Sequence, residues 1–183
     1  MIHPTADVSP LARVGVNVKI WHQAQVREGA IVGDNCILAK NVYIDKNVVI
    51  GANCKIQNSS SLYHGAVLEE SVFIGPHCVL ANDKFPRAVN PDGSLKQDKN
   101  WVEGKILIKE GASLGARVVV LPNITIGRFA LVGAGSVVTK DVPDFGLVYG
   151  NPARLQGYVC KCGRKLEGGK EGGEMCQICG DKS

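Results

Sequence analysis

Four cysteines near the C-terminus form a group that could bind a metal ion. They occur in two close pairs, Cys160-Lys-Cys162 and Cys176-Gln-Ile-Cys179, and a glycine follows each pair. Paired thiolates of this kind are typical of tetrahedral zinc sites, although two intervening residues are commoner than the one found in the first pair. Disulfides are one alternative, but the expected cytoplasmic location disfavours them. A redox Cys-x-x-Cys motif is another, but the surrounding sequence lacks the βαβ pattern of such proteins. We therefore predict a structural zinc ion in a ribbon-like tail, residues 159–183.

Three further side chains could orient and deprotonate a substrate. His64 carries an imidazole, the group best suited to proton transfer near neutral pH, while Asn82 offers an amide and Asp83 a carboxylate. They are distant in sequence, and His64 and Asn82 are separated by 18 residues. Whether they can act together depends on the elements that carry them.

Those elements are indicated by an aliphatic residue at every sixth position. A helix requires a period near 3.6 and an ordinary strand a period of 2, so neither accounts for the pattern. A hexad with an aliphatic anchor and a mostly small residue four positions later is typical of a parallel β-helix, in which three hexads form one triangular coil. The anchors are Ile2, Val8, Val14, Ile20, Val26, Val32, Leu38, Ile44, Ile50, Ile56, Leu62, Leu68, Ile74, Leu80 and, in a new frame, Ile108, Leu114, Val120, Ile126, Val132 and Val138.

The period predicts an all-β fold, a parallel β-helix of six to seven coils over residues 1–143. A long loop at about 82–107 interrupts it, and a connector over 144–158 leads to the tail. Glycine often directly follows an anchor, for example at Gly33, where we expect it to ease the turn.

Residues 18 apart should lie one above another at about 4.8 Å, the spacing of neighbouring strands. His64 and Asn82 should then share one column, with Asp83 beside them, at the corner where the long loop leaves the helix. Loops of this length are usually functional or disordered, and Trp101 within it favours a function. A site at this corner and a set of solvated corner residues are equally good interpretations of the register.

The overall composition excludes some classes of protein. The net charge is only +4, with acidic and basic residues interspersed, so nothing indicates nucleic-acid binding. No run of 18 apolar residues indicates a membrane span, and the first hexad begins at once, which leaves no room for a signal peptide. We expect a cytoplasmic protein.

Several motifs together resemble the sugar-nucleotide N-acetyltransferases of the left-handed β-helix superfamily over about residues 1–158. The resemblance is closest to the group that acetylates the 3-amino group of nucleotide-linked sugars, including UDP-2-acetamido-3-amino-2,3-dideoxyglucuronate. The loop start Asn82-Asp-Lys-Phe-Pro-Arg87 is its most specific feature. The other motifs are Ile20-Trp-His22, Lys55-Ile-Gln-Asn58, Leu62-Tyr-His-Gly65, Phe73-Ile-Gly-Pro76, Gly111-Ala-Ser-Leu-Gly-Ala116, Val132-Gly-Ala-Gly-Ser-Val-Val-Thr-Lys-Asp-Val-Pro143 and Gly150-Asn-Pro-Ala-Arg154.

This resemblance implies a left-handed helix, a homotrimer with active sites between neighbouring subunits, and acetyl-CoA as co-substrate. It implies that Asn82 orients the amine, with Asp83 close by, and that a backbone N–H near Gly115 or Ala116 stabilises the oxyanion. His64 is the candidate base, at a position where we expect relatives to carry an acidic residue. The implied sugar-nucleotide residues are Tyr63, Arg87, Gln57 and Asn58, and the implied CoA residues are Gly115, Ala116, Gly133, Ala134, Lys140 and Arg154.

Three other functions are alternatives to N-acetyl transfer. An O-acetyltransferase requires a true base to activate a hydroxyl, so that alternative depends on His64. A non-catalytic scaffold with a zinc module is the alternative outside enzymes. A carbonic anhydrase on the same fold needs a close histidine pair, which the four histidines do not provide. The sequence leaves open the choice of UDP or dTDP, the presence of a C6 carboxylate and the role of the tail.

Overall fold

In the computed structural model the described residues are 1–167, 176 and 178–180. Each hexad forms one strand of two or three residues, and successive strands join three parallel sheets in turn, so the chain winds into a three-sided solenoid. Strands are numbered in chain order from β1 to β21. The predicted all-β solenoid with one long loop and a C-terminal four-cysteine cluster is confirmed.

The three sheets are defined by their strands. Sheet I comprises β1 (Asp7–Val8), β4 (Gln25–Val26), β7 (Tyr43–Ile44), β10 (Ser61–Leu62), β13 (Val79–Leu80), β16 (Val119–Val120) and β19 (Val137–Val138). Sheet II comprises β2 (Arg13–Val14), β5 (Ile31–Val32), β8 (Val49–Ile50), β11 (Ala66–Leu68), β14 (Ile106–Ile108) and β17 (Ile124–Ile126). Sheet III comprises β3 (Lys19–Ile20), β6 (Ile37–Leu38), β9 (Lys55–Ile56), β12 (Phe73–Ile74), β15 (Ser113–Leu114), β18 (Leu131–Val132), β20 (Gly146–Gly150) and β21 (Ala153–Tyr158).

The aliphatic anchors form the core, as the period predicts. Leu62 pairs with Ile44 on one side and with Leu80 on the other, each 18 residues away, and all three side chains are fully buried. Each buried side chain of this size contributes roughly 1.5–3 kcal/mol of hydrophobic free energy. Stability therefore accumulates coil by coil, since each coil contacts only its neighbours.

The corners correct one expectation about glycine. The left-handed residue is the third after the anchor, often asparagine: Asn17, Asn35 and Asn53 have φ near 60°, and their side chains bond to one another along the corner at 3.3 and 3.1 Å. Gly33, directly after its anchor, does not have positive φ. A Cβ there would lie 2.6 Å from the backbone nitrogen of Ala52, so glycine is required by the close approach of the next coil.

The long loop leaves the stacking undisturbed. Leu68 pairs with Ile108, 40 positions later instead of 18, and Leu80 pairs with Val120. The loop therefore adds 22 residues to one coil, at the corner between β13 and β14, and includes a short 3-10 helix over Asp98–Asn100. Its return is fixed by the hydrogen bond from Gly104 N to Asn82 O at 2.8 Å.

The C-terminal part of the solenoid extends beyond the predicted limit. Residues 144–158, expected as a connector, contain a hairpin in which β20 runs parallel to β18 and antiparallel to β21. At the other end Ile2 forms a bridge to Ile20. Ile2 is the first predicted anchor, so it is the hairpin that takes the solenoid beyond the predicted six to seven coils, to about 8 turns. None of the helices in the described part of the chain is long and apolar enough to cross a membrane.

Candidate active site

The corner between sheets I and II carries a polar cavity of about 350 Å³. As the 18-residue register predicts, His64 and Asn82 meet there, and Asn82 Nδ2 donates a hydrogen bond to His64 O at 3.2 Å. The cavity is lined by Arg27, Asp45, Lys46, His64, Asn82, Trp101 and Glu103. It therefore combines an imidazole, an amide, two cations, two carboxylates and an indole ring.

The imidazole of His64 is held on both sides. Its Nδ1 contacts Glu103 Oε1, and its Nε2 lies 3.5 Å from Asn47 Nδ2. A carboxylate at Nδ1 favours the tautomer that keeps the proton on this nitrogen, so Nε2 is the acceptor atom of the ring. In the structure it faces Asn47 Nδ2, and a substrate that gives Nε2 a proton has to replace this long contact. Asn82 Nδ2 lies 3.5 Å from the same carboxylate oxygen, so Glu103 joins both side chains.

Glu103 was missed by the sequence analysis. It belongs to the non-repeating loop, where the six-residue period does not predict which residues lie close together. A signal was nevertheless present, since Ile106–Ile108 must return beside Ala66–Leu68 to keep the coil register. The residues just before this strand therefore have to cross the corner that carries His64.

Asp45 supports the site from the coil before His64. Its Oδ2 accepts a hydrogen bond from the backbone N–H of His64 at 3.1 Å, and its Oδ1 accepts one from Lys46 N at 2.8 Å. The hydroxyl of Tyr43 and Nη1 of Arg27 also donate to Oδ1, each at 3.0 Å. Partial burial would raise the pKa of Asp45, but these donors together lower it below its ordinary value. The carboxylate thus stays charged and fixes the backbone at His64.

Three predicted residues lie near this corner but do not line the cavity. Asp83 Oδ1 accepts a hydrogen bond from Phe85 N at 2.8 Å, so its side chain stabilises the turn at the start of the loop. The guanidinium of Arg87 donates to Pro86 O at 2.8 Å in the exposed loop. Tyr63 packs against Tyr43, with ring centroids 5.7 Å apart. Of the group expected around the reacting sugar, the structure brings His64 and Asn82 together.

Most of the residues assigned to CoA, and two assigned to the sugar nucleotide, lie on another corner. They follow β9, β15 and β18, so they belong to the corner between sheets III and I. The backbones of successive coils approach closely at this corner, since a Cβ on Gly115 would lie 2.6 Å from Ala134 N. These residues are Gln57, Asn58, Gly115, Ala116, Gly133 and Ala134. Within one subunit they are therefore on a different edge from His64.

Lys140 and Arg154 share a second cavity, of about 250 Å³, at the C-terminal end of the solenoid. Lys140 follows β19 and so lies on the His64 corner, three coils further on, whereas Arg154 belongs to β21. The rest of the lining is mainly apolar and includes Val138, Val148 and Leu155. The carboxylate of Asp141 also lines the cavity. The two cations outnumber it, and cations of this kind bind phosphate groups.

The four cysteines also converge. The Sγ atoms of Cys160, Cys162, Cys176 and Cys179 all lie within 4.8 Å of one another. A set of four thiols fits the ligand preference of Zn²⁺. Cys160 and Cys176 are buried and the other two are exposed.

Comparisons with known proteins agree with the fold and with parts of the expected chemistry. The dTDP-3-amino-3,6-dideoxy-alpha-D-galactopyranose 3-N-acetyltransferase of Aneurinibacillus thermoaerophilus is 56% identical over 35% of this chain and 33% of its own length. A galactoside O-acetyltransferase of Lactococcus lactis is 39% identical over 40% of this chain and 35% of its own. The chain thus spans about a third of the length of these curated relatives.

Among solved structures, a mutant of AntD, an N-acyltransferase from Bacillus cereus crystallised with dTDP and coenzyme A, superposes with a TM-score of 0.70. It is 24% identical, covering 81% of this chain and 83% of that one, and so supports the fold alone.

The repeats themselves match family models. Residues 12–46 and 47–82 match the bacterial transferase hexapeptide, and residues 106–140 match the hexapeptide repeat of succinyl-transferase. Together these stretches span more than half of the chain, and they coincide with the coils on both sides of the loop. The protein therefore belongs to the hexapeptide-repeat family.

Proposed function

We propose that the protein transfers an acetyl group from acetyl-CoA to the amino group of a nucleotide-linked 3-amino sugar, with UDP or dTDP as the nucleotide. The observation that carries the proposal is the cluster of His64, Glu103 and Asn82 in a cavity at the corner where the long loop returns. The 3-N-acetyltransferase named above supports an amine on a nucleotide sugar as the acceptor.

The cluster has the groups that amide formation needs. The amine must be neutral and aligned with the thioester carbon. Asn82 uses its Nδ2 toward His64 O and Glu103, which leaves Oδ1 to accept a hydrogen bond from the amine. The amine nitrogen bonds to the carbonyl carbon, and His64 Nε2 takes the surplus proton from nitrogen while Glu103 stabilises the imidazolium through Nδ1. The C–S bond then breaks, and the CoA thiolate takes the proton from His64.

The oxyanion of the intermediate requires a donor on the CoA side. The backbone N–H of Gly115 already donates to Val132 O at 2.8 Å. Of the two positions expected from the resemblance, the N–H of Ala116 is therefore the better donor.

The placement of these groups supports an active site shared by two subunits. His64 lies on the corner between sheets I and II, whereas Ala116 lies on the corner between sheets III and I. In a three-sided solenoid these are different edges, so the two groups can meet when edges of neighbouring copies come together. A closed homotrimer would provide three equivalent sites of this kind.

A thiol-release assay with acetyl-CoA tests the proposal, using a panel of UDP- and dTDP-linked 3-amino sugars with and without a C6 carboxylate. We expect His64→Ala and Glu103→Gln to lower the rate about 10²-fold or more, as for loss of general acid–base catalysis. The control Glu70→Gln removes an exposed carboxylate on another corner and should leave the rate unchanged. Loss of less than about tenfold for both variants would remove the assigned roles.

O-acetyl transfer is the second candidate, because the carboxylate held at His64 Nδ1 is an arrangement that can activate a hydroxyl. The galactoside O-acetyltransferase supports this alternative. Matched nucleotide sugars that differ only in a 3-amino or 3-hydroxyl group separate the two. Turnover of the hydroxyl sugar alone would replace the proposed N-acetyl transfer.

A further inference from the structure

Each cysteine pair is closed by a hydrogen bond from the glycine that follows it. In the first, Gly163 N donates to Cys160 O at 2.8 Å, and in the second Gly180 N donates to Cys176 O at 2.9 Å. Both glycines have positive φ, 82° and 71°. Each turn thus reverses the chain directly after its second cysteine, so that both thiols of a pair face the same point.

The distances between the sulfurs suit one tetrahedral ion. Cys160 and Cys179 have their Sγ atoms 3.9 Å apart, and so do Cys162 and Cys176. Four thiolates at about 2.3 Å from Zn²⁺ have sulfur–sulfur edges of roughly 3.8 Å. The Sγ atoms of Cys160 and Cys162 are closer, at 2.7 Å, and an ion between the pairs would move them apart. Four sulfur ligands leave no position for water, so the ion would be structural.

The described residues around these thiols form only a small core. Among them the cluster of buried side chains is Cys160, Leu166 and Cys176, and Tyr158 packs against it. So small an apolar cluster does not offset the conformational entropy of ordering the chain. A thiolate-bound ion contributes about 10–16 kcal/mol of apparent binding free energy in small zinc peptides, which is sufficient.

The module is joined directly to the last coil of the solenoid. Val159 is fully buried and its N–H donates to Phe145 O at 2.8 Å. Lys161 Nζ lies 5.6 Å from the ring of Phe129, which stacks on Phe145 at 5.5 Å. Tyr158, the residue that packs on the cysteines, is also the last residue of β21.

We propose that Cys160, Cys162, Cys176 and Cys179 bind one Zn²⁺, and that this ion holds the β20–β21 hairpin against the last coil. Because Arg154 and Leu155 of β21 line the second cavity, the ion also fixes one wall of that cavity. The proposal stands whether or not the protein is an acetyltransferase.

Metal content is the first test. We expect one zinc per chain by inductively coupled plasma mass spectrometry, and Co²⁺ in its place should give the intense visible bands of tetrahedral thiolate coordination. The double variant Cys176→Ser/Cys179→Ser should lose the metal. The control Cys36→Ser should retain it, because that thiol lies in the solenoid core. Iron in place of zinc, absence of metal, or a mass 2 Da lower per disulfide would overturn the assignment.

Hydrogen exchange of the whole 183-residue chain tests the second part. Removing zinc with a chelator should raise amide exchange in Ala153–Tyr158 at least tenfold, while exchange in Tyr43–Ile44 and Ser61–Leu62 stays unchanged. Chelation of the wild-type protein avoids reliance on a variant that fails to fold. Unchanged exchange in the hairpin after complete zinc loss would show that the ion does not hold it.

Discussion

The close stacking of coils at Gly33 gives a prediction that can be worked out from distances. A Cβ at this position would lie 2.6 Å from Ala52 N and 2.7 Å from Gly51 C, whereas ordinary contact begins at 3.4 Å. The next coil would have to move by about 0.8 Å, and the hydrogen bond from Gly33 N to Ile50 O would lengthen from 2.8 Å to about 3.6 Å. Gly33→Ala therefore combines overpacking, about 1–3 kcal/mol, with loss of a backbone hydrogen bond, about 1 kcal/mol.

The expected cost is about 2–4 kcal/mol, which for a chain of this length lowers Tm by roughly 4–16 °C. Thermal unfolding followed by circular dichroism measures it. Gly93→Ala is a matched control, because Gly93 has φ of 84° and no atom within 4 Å of its Cβ position. It tests backbone strain without crowding and should cost about 1 kcal/mol. Equal Tm values for Gly33→Ala and the wild type would show that the neighbouring coil can move away from residue 33 without loss of stability, which would refute this reasoning.

Three other predictions concern the site and the core. Asp45→Asn should lower stability at pH 7 by about 1–3 kcal/mol. Because the folded pKa of Asp45 lies below its ordinary value, urea titrations should show this difference in full above about pH 4, shrinking as the pH falls further through the folded pKa. Leu62→Ala should cost about 2–5 kcal/mol in the same titrations, whereas exposed Leu11→Ala should cost less than about 0.5. In a Trp21→Phe background, acceptor binding should change the fluorescence of Trp101, which lines the first cavity; an unchanged spectrum at saturating acceptor would contradict binding there.

The repeat made much of the molecule predictable. Because anchors recur every six residues and three hexads make one coil, residues 18 apart lie one above another. This predicts both the pairing of Leu62 with Leu80 and the proximity of His64 to Asn82. The four-cysteine cluster was equally accessible, since its spacing reflects ligand geometry. Each of these features depends on a regular pattern in the sequence.

The rest depends on irregular chain. Glu103 reaches His64 from a loop without a period. Asp83 accepts a local hydrogen bond from Phe85 N, and this bond competes with any role of its carboxylate in the cavity. Gln57 is near His64 in sequence, but the intervening strand β10 separates their corners. The hairpin over 146–158 does not follow the six-residue repeat, so its pairing with β18 could not be predicted by counting residues from the last anchor.

The way the loop is inserted has a consequence for how the first cavity can change. Leu68 and Ile108 stack as if the 22 extra residues were absent, so this loop leaves the frame of the solenoid unchanged. Yet this same loop supplies Trp101 and Glu103 to the cavity. Exchanging this one surface segment can therefore change the lining of the cavity, while the coils that hold His64 stay as they are. In this chain, loop residues that line the cavity can change without changing the coils that stabilise the solenoid.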